Sequence, residues 1–79
     1  MLFMMSKTKA AYKILSRENR PLHFEEITRI ALDEGLIVTK GKTPAQTMRA
    51  DMYNENKRRE KRGRSKRFKD FGKGIWGLA

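Results

Sequence analysis

Apolar residues recur at helical spacing along the first part of the chain and predict three helices. The first helix is expected over residues 7–17, with Ser6 as its N-cap. Its buried face consists of Ala10, Ala11, Ile14 and Leu15. Pro21 ends this segment, because the residue before a proline disfavours the helical conformation, and Leu22 is expected in a short extended contact.

The second predicted helix covers residues 24–34. Glu25 and Glu26 fall in its first turn, where negative charge interacts favourably with the helix dipole. Gly35 is predicted to stop this helix, so that Leu36 folds back onto it. The buried stripe consists of Ile27, Ile30 and Ala31.

The third helix has the clearest start signal in the sequence. Thr43 as N-cap, Pro44 at the first position and Gln46 at the third predict a capping box. The helix is expected to continue to about Arg59. Its predicted inward face consists of Ala45, Met48, Met52 and Tyr53.

Two short aromatic runs, RFKDF and GIWGL, follow the third helix and predict a β-hairpin. Trp76 and Leu78 are two positions apart, so they share one face of a strand, and we expect that face to pack on the helices. A small domain needs its large apolar side chains inside. The expected core therefore includes Met4, Met5, Met48, Met52, Phe68, Phe71 and Trp76.

This order of elements predicts a mainly α fold with a small β-hairpin. Three helices followed by a hairpin fit a winged helix-turn-helix, in which the hairpin is the wing. The winged helix domain is expected to span residues 6–79. Residues 1–5, MLFMM, are apolar but too few for a membrane span or a signal-peptide core, and they predict an N-terminal strap on the domain.

Charge is the feature that points to a partner. Nineteen Lys and Arg against nine Asp and Glu give a formal net charge of +10, and residues 57–73 contain ten of the basic residues. Such an excess predicts a polyanionic partner, nucleic acid before a membrane surface. The chain has no Cys and a single His, so we expect no disulfide, no metal site and no cofactor.

Candidate enzymatic motifs do not fit. The sequence GKT before the third helix would need a glycine at position 36 to end a phosphate-binding loop, and Leu36 stands there. His23 precedes the second helix without potential metal ligands around it and is expected to be a helix cap or a surface residue. Asp51 and Glu55 lie among basic residues, where ion pairing explains them better than a nuclease site does. We therefore expect a protein that is not an enzyme.

Duplex DNA is the partner that this layout favours. The outer face of the third helix, residues 43–59, is expected to enter the major groove, while the basic wing contacts the phosphate backbone. The predicted DNA-binding residues are Lys42, Thr43, Gln46, Thr47, Arg49, Ala50, Asn54, Lys57, Arg58, Lys61, Arg62, Arg64, Lys66, Arg67 and Lys73.

The chain also resembles the HARE-HTH family, in residues 7–78. The resemblance is carried by PLHFEEITRIALDEGLI, by GKTPAQTMRADMY and by SKRFKDFGKGIWGL. It implies a winged helix-turn-helix fold and a DNA-binding or transcription-linked adaptor role, without catalysis, because in the restriction endonucleases of the family a separate domain cuts. The insertion KRREKRGRSKR is more basic than expected for the family and favours DNA or RNA.

Three kinds of partner therefore stay open at the level of sequence. Double-stranded DNA is expected first, structured RNA shares the same charge logic, and an adaptor would dock on proteins of the transcription or chromatin machinery. A membrane is not expected, because no apolar stripe accompanies the basic run. We expect a monomer or homodimer, acting as a small transcription regulator or DNA-associated accessory protein in the cytoplasm, on the nucleoid, or in the nucleus.

Overall fold

The computed structural model describes residues 5–38 and 42–79. Its elements are α1 (Lys7–Glu18), β1 (Leu22–His23), α2 (Phe24–Asp33), α3 (Pro44–Lys61), β2 (Phe68–Gly72) and β3 (Ile75–Leu78). The three strands form one antiparallel sheet in the order β1-β3-β2. Three helices and a small sheet confirm the predicted winged helix-turn-helix. Residues 1–4 of the predicted strap and residue Gly41 of the GKT motif lie outside the described residues.

Local signals set the ends of the first two helices. The Ser6 side chain accepts a hydrogen bond from the Lys9 amide at 3.3 Å, which confirms the predicted N-cap of α1. His23 is likewise confirmed as a cap, because its Nδ1 accepts a hydrogen bond from the Glu25 amide at 3.1 Å.

None of the helices in the described part of the chain is long and apolar enough to cross a membrane.

The end of α2 follows the predicted pattern. Gly35 adopts a φ of +68°, which a residue without a Cβ tolerates most easily. The Leu36 amide donates to the Ala31 carbonyl at 2.9 Å, and the Gly35 amide donates to the Leu32 carbonyl at 3.1 Å. These two bonds are a Schellman motif, and they return the chain to the core at Ile37.

The start of α3 differs from the prediction. Pro44 does occupy the first turn, but the Thr43 side chain makes no capping hydrogen bond, so the predicted capping box is wrong. Thr43 has φ −130° and ψ 66°, away from the extended geometry of Ser6 and His23, whose side chains do cap. The Thr43 carbonyl instead accepts bonds from the Thr47 amide and hydroxyl, at 3.2 and 3.3 Å.

Two aromatic residues expected inside are exposed. Tyr53 is 52% exposed because it lies about 100° around the helix from the buried Met52. Phe71 is 51% exposed because it lies an odd number of positions after the buried Phe68 and therefore faces the other side of β2. Its ring covers Gly77 of the neighbouring strand, where a Cβ would lie 2.8 Å from the ring. The remaining core prediction holds for the described residues: Met48, Met52, Phe68 and Trp76 are buried, and Met5 packs on them.

The wing is short and tightly closed. Lys73 and Gly74, with φ of 56° and 82°, connect β2 and β3 in a two-residue turn. On the other side of β3, Leu22 pairs with Trp76 and His23 pairs with Ile75. The extended contact predicted at Leu22 is therefore the third strand of the sheet, and it ties the hairpin to the start of α2.

A buried asparagine joins the wing to α3. Asn56 is only 8% exposed, and its side-chain Nδ2 donates a hydrogen bond to the Phe68 carbonyl at 2.9 Å. Its Oδ1 accepts from the Arg67 and Phe68 amides, each at 3.1 Å. One side chain thus pairs with the backbone at the start of β2, on the edge of this strand that faces away from β3.

We expect Asn56→Ala to lower the free energy of unfolding by about 2–3 kcal/mol, because it leaves buried amides and a carbonyl without partners. Asn54→Ala is the matched control, because Asn54 is exposed on the same helix, and we expect it to cost less than about 0.5 kcal/mol. Urea unfolding followed by circular dichroism measures both values. Equal effects of the two substitutions would contradict the proposed anchor.

Candidate nucleic-acid interface

The outward face of α3 is polar and free of the core. Gln46, Ala50, Asn54 and Lys57 follow one another at spacings of three or four residues, so they form one stripe. All four are exposed, while Met48, Met52 and Asn56 are buried on the opposite face. Thr47 is exposed beside this stripe, and Lys42 and Thr43 are exposed where the helix begins.

Most of the predicted basic wing precedes the hairpin. Of the ten basic residues in segment 57–73, four end α3 and four lie in the connection 62–67. The hairpin itself carries only Lys69 and Lys73. We call residues 57–67 the cationic end of the molecule. Its basic members are Lys57, Arg58, Arg59, Lys61, Arg62, Arg64, Lys66 and Arg67.

The backbone of the cationic end is held in a defined path. The Gly63 amide donates to the Glu60 carbonyl at 3.0 Å and the Arg64 amide donates to the Arg59 carbonyl at 2.8 Å, a second Schellman motif. Arg59 Nε also donates to the Ser65 carbonyl at 2.7 Å. These bonds explain why α3 continues to Lys61, two residues beyond the predicted end.

Three arginines of the cationic end keep their guanidinium groups available. Arg58, Arg62 and Arg64 are exposed, and none of them forms an ion pair or a side-chain hydrogen bond with the described residues. Together with Arg59 and Glu55 they border a shallow hollow of about 150 Å³. Such a group of arginines suits the oxygens of a phosphate.

Two other predicted contacts are engaged within the protein. Arg67 is half-buried, its Nε lies 3.4 Å from Glu55 Oε2, and its guanidinium lies 4.8 Å from the centre of the Tyr12 ring. Lys66 Nζ lies 3.8 Å from Glu60 Oε2. Glu55 is therefore an ion-pairing residue as expected, with Arg67 as its partner, whereas the ion pairing predicted for Asp51 is wrong, because Asp51 has no such partner among the described residues. Among the described residues, no cluster of three or more potential ligands for a metal ion exists.

Arg49 and Lys73 lie at the sides of the interface. The Arg49 guanidinium stacks 5.7 Å from the centre of the Phe24 ring, which turns it from the stripe towards α2. Lys73 is exposed in the turn of the wing.

Sequence reasoning missed two neighbouring hollows between α3 and the wing. Their volumes are about 400 and 570 Å³, and both have Tyr53, Asp70 and Trp76 in their walls. We call the smaller one, which also borders Gln46, Arg49, Ala50 and Asn54, the upper hollow. The signal that would have revealed it is the spacing of four between Met48, Met52 and Asn56, which places Tyr53 outside.

The other side of the molecule is largely neutralised. Arg17 donates two hydrogen bonds to the Glu34 carboxylate, at 2.8 and 2.6 Å, and this joins α1 to the end of α2. Arg29 donates to Glu26 and, at 2.9 Å, to Asp33. Because these acids balance the arginines beside them, the positive potential is concentrated on α3 and the cationic end.

These pairs also shift the titration of the acids. The hydrogen bonds from Arg17 lower the pKa of Glu34 below its ordinary value of 4.5, and those from Arg29 do the same to the pKa of Glu26. An acid whose pKa is lower in the folded than in the unfolded state stabilises the fold at every pH above its unfolded-state pKa. This contribution is lost as the pH falls through the folded-state pKa.

We expect the melting temperature to fall between about pH 5 and pH 3, and to fall less steeply in Glu34→Gln and Glu26→Gln, which lack the titrating carboxyl group. Asp51→Asn is the control, because Asp51 forms no ion pair with the described residues. Calorimetry across this range measures the slopes. Identical slopes in all four proteins would show that the arginine pairs contribute nothing.

Comparison with known proteins gives one match. A scan against protein-family models matches residues 5–79 to HARE-HTH, a helix-turn-helix domain whose description names ASXL proteins and restriction endonucleases. A search of curated proteins and a search of solved structures each found no match. The matched region covers the whole winged helix, including the α3 stripe and the cationic end. The chain therefore belongs to the HARE-HTH family, a family of DNA-binding helix-turn-helix domains that are not typically catalytic.

Proposed function

We propose that this protein binds double-stranded DNA, with the outward stripe of α3 in the major groove and the cationic end on the phosphate backbone. The observation that carries the proposal is the separation of charge along one helix. The stripe is uncharged at Gln46, Ala50 and Asn54, whereas the unpaired arginines Arg58 and Arg62 lie near the end of the same helix.

The uncharged part of the stripe suits the edges of bases. Amide side chains such as Gln46 and Asn54 pair with adenine through two hydrogen bonds in the major groove, and a small apolar residue such as Ala50 contacts the thymine methyl group. A helix fits this groove, which is about 12 Å wide. In this arrangement the first turn of α3 approaches the DNA backbone, and the residues nearest to it are Lys42, Thr43 and Thr47.

The cationic end supplies affinity without sequence preference. Lys57, Lys61 and the arginines of the small hollow neutralise phosphates and release their counterions. Lys66 and Arg67 contribute to the local potential while they hold their partners Glu60 and Glu55. Lys73 extends the contact from the turn of the wing.

The biological role that fits is a small transcription regulator or DNA-associated accessory protein. We expect it to act by binding, because its family is one of DNA-binding domains that are not typically catalytic. Its place would be with DNA, on the nucleoid in the cytoplasm or in the nucleus.

Salt dependence tests the phosphate contacts. If about five phosphates are neutralised, the logarithm of the affinity for a duplex should fall with the logarithm of salt concentration at a slope of roughly −4 to −5. Replacing Arg58, Arg62 and Arg64 together by Ala should reduce the magnitude of this slope by about 2–3 and weaken binding to all sequences alike.

The control for this triple variant is Lys7, Lys9 and Lys13 of α1 replaced together by Ala. It removes the same charge from a different helix, and its slope should stay near that of the original protein. Fluorescence anisotropy measures both series, with structured RNA as a competitor. A flat salt response, or preferential displacement by RNA, would argue against duplex DNA as the ligand.

Sequence preference tests the stripe. Asn54→Ala should remove a preference at one base position, about 1–3 kcal/mol for a bidentate contact, and leave the salt slope unchanged. Arg62→Ala is the opposite control, with a smaller slope and unchanged preferences. Selection from a randomised duplex pool measures these preferences. Loss of preference in Arg62→Ala but not in Asn54→Ala would mean that α3 does not lie in the groove as proposed.

A further inference from the structure

One exposed carboxylate, that of Asp70, borders the upper hollow between α3 and the wing. Six of the nine acids have a Lys or Arg side chain within 4 Å: Glu18, Glu26, Asp33, Glu34, Glu55 and Glu60. Of the other three, Glu25 lies 3.6 Å from His23 Nδ1, which already accepts a hydrogen bond from the Glu25 amide. Asp51 and Asp70 form no ion pair with the described residues. Asp51 lies on α3 and lines neither hollow beside the wing, whereas Asp70 lies on β2 and borders the upper hollow.

The Asp70 carboxylate is held in place by the backbone of the wing. Its Oδ1 accepts a hydrogen bond from the Gly72 amide at 2.8 Å, and its residue pairs with Trp76 across the sheet. This bond uses one oxygen and leaves Oδ2 without a hydrogen bond to the described residues. Asp70 therefore keeps one carboxylate oxygen that can accept a hydrogen bond from a ligand.

The Asp70 carboxylate disfavours a phosphate next to it. It repels the DNA backbone and accepts hydrogen bonds, so its ligand must present a donor. Tyr53, half exposed, forms the opposite wall. Arg49 also borders the upper hollow, but its guanidinium stacks on the Phe24 ring, and Gln46, Ala50 and Asn54 belong to the stripe that we place against bases. A base edge with an amino group fits these walls.

Only two bases present an amino group in the major groove. Adenine N6 lies between two acceptors, its own N7 and the paired thymine O4, which a carboxylate meets unfavourably, whereas cytosine N4 has an acceptor on one side only, the paired guanine O6. We propose that Asp70 accepts a hydrogen bond from the N4 amino group of a cytosine in the upper hollow and makes the protein prefer cytosine at that position. This proposal rests on duplex binding by α3, and it assigns to the wing a part in base selection.

The test uses Asp70→Asn with a matched control. An asparagine oxygen still accepts from the Gly72 amide, so the turn is kept while the negative acceptor is lost. Asp51→Asn removes the same charge from α3 outside the hollow. Selection from randomised duplexes, followed by anisotropy on single-base variants, compares the two variants with the original protein.

The expected result is about a tenfold preference for cytosine at one position, present in the original protein and in Asp51→Asn and lost in Asp70→Asn. Asp70→Ser, whose hydroxyl can also accept from Gly72, should lose it as well, and it replaces Asp70→Asn if that variant unfolds at a lower urea concentration.

Other outcomes overturn the proposal. An equal rise in affinity for all sequences in Asp70→Asn and Asp51→Asn would show that Asp70 acts only as a charge. Duplex binding by the original protein without a cytosine preference at any position would refute the reading of a base by Asp70 while the proposed function stands. Absence of duplex binding in the original protein would refute the proposed function itself.

Discussion

The interface depends on the buried side chain of Asn56. This side chain donates one hydrogen bond and accepts two, and these bonds hold the backbone at Arg67 and Phe68. The wing therefore starts at a set distance from α3. Because Asn56 lies one turn beyond Met52 on the inward face, the bond network and the apolar core form one continuous contact. The hollow between α3 and β2 exists because this anchor sets the spacing of its two walls. The same helix therefore offers one face to the proposed ligand and positions the wing with the other.

The cationic end is compatible with folding because its repulsion is offset locally. Eight basic residues in eleven positions repel one another, but Glu55 and Glu60 pair with Arg67 and Lys66 across the connection. Gly63, with φ of +73°, allows the chain to turn back without strain, and Arg59 holds the turn through the Ser65 carbonyl. Basic side chains also lie favourably at the C-terminal end of α3, where the helix dipole is negative. A bound phosphate would further offset the repulsion among the basic side chains.

Periodicity and end signals are sufficient to predict the helices, because burial of an amphipathic face and local hydrogen bonds decide them. Ser6, Gly35 and Pro44 all have the roles expected from sequence. The capping box at Thr43 is a local signal that fails, whereas the position of Phe71 and the sheet partner of Leu22 are decided by tertiary contacts. Phe71 is exposed because it covers Gly77 on the outer side of the sheet, and the pairing of Leu22 with β3 is a contact between distant segments. Asn56 is polar, so a hydrophobic pattern passes over it and favours Tyr53 as an inward residue in its place. Site residues on the outer face of α3 follow from the helix phase alone, whereas the hollow needs the wing in place.

The tight turn of the wing limits what the wing itself can contact. With only Lys73 and Gly74 between its strands, the hairpin cannot reach far along a groove, and it carries two of the ten basic residues of segment 57–73. In the proposed complex the phosphate contacts that a long basic wing would make are made by the end of α3. This helix has 18 residues and is therefore about 27 Å long. A helix of that length would place the proposed base contacts at one end and the proposed phosphate contacts at the other. The short wing forms one wall of the hollow beside the stripe, and there Asp70, outside the cationic end, would supply the proposed selectivity.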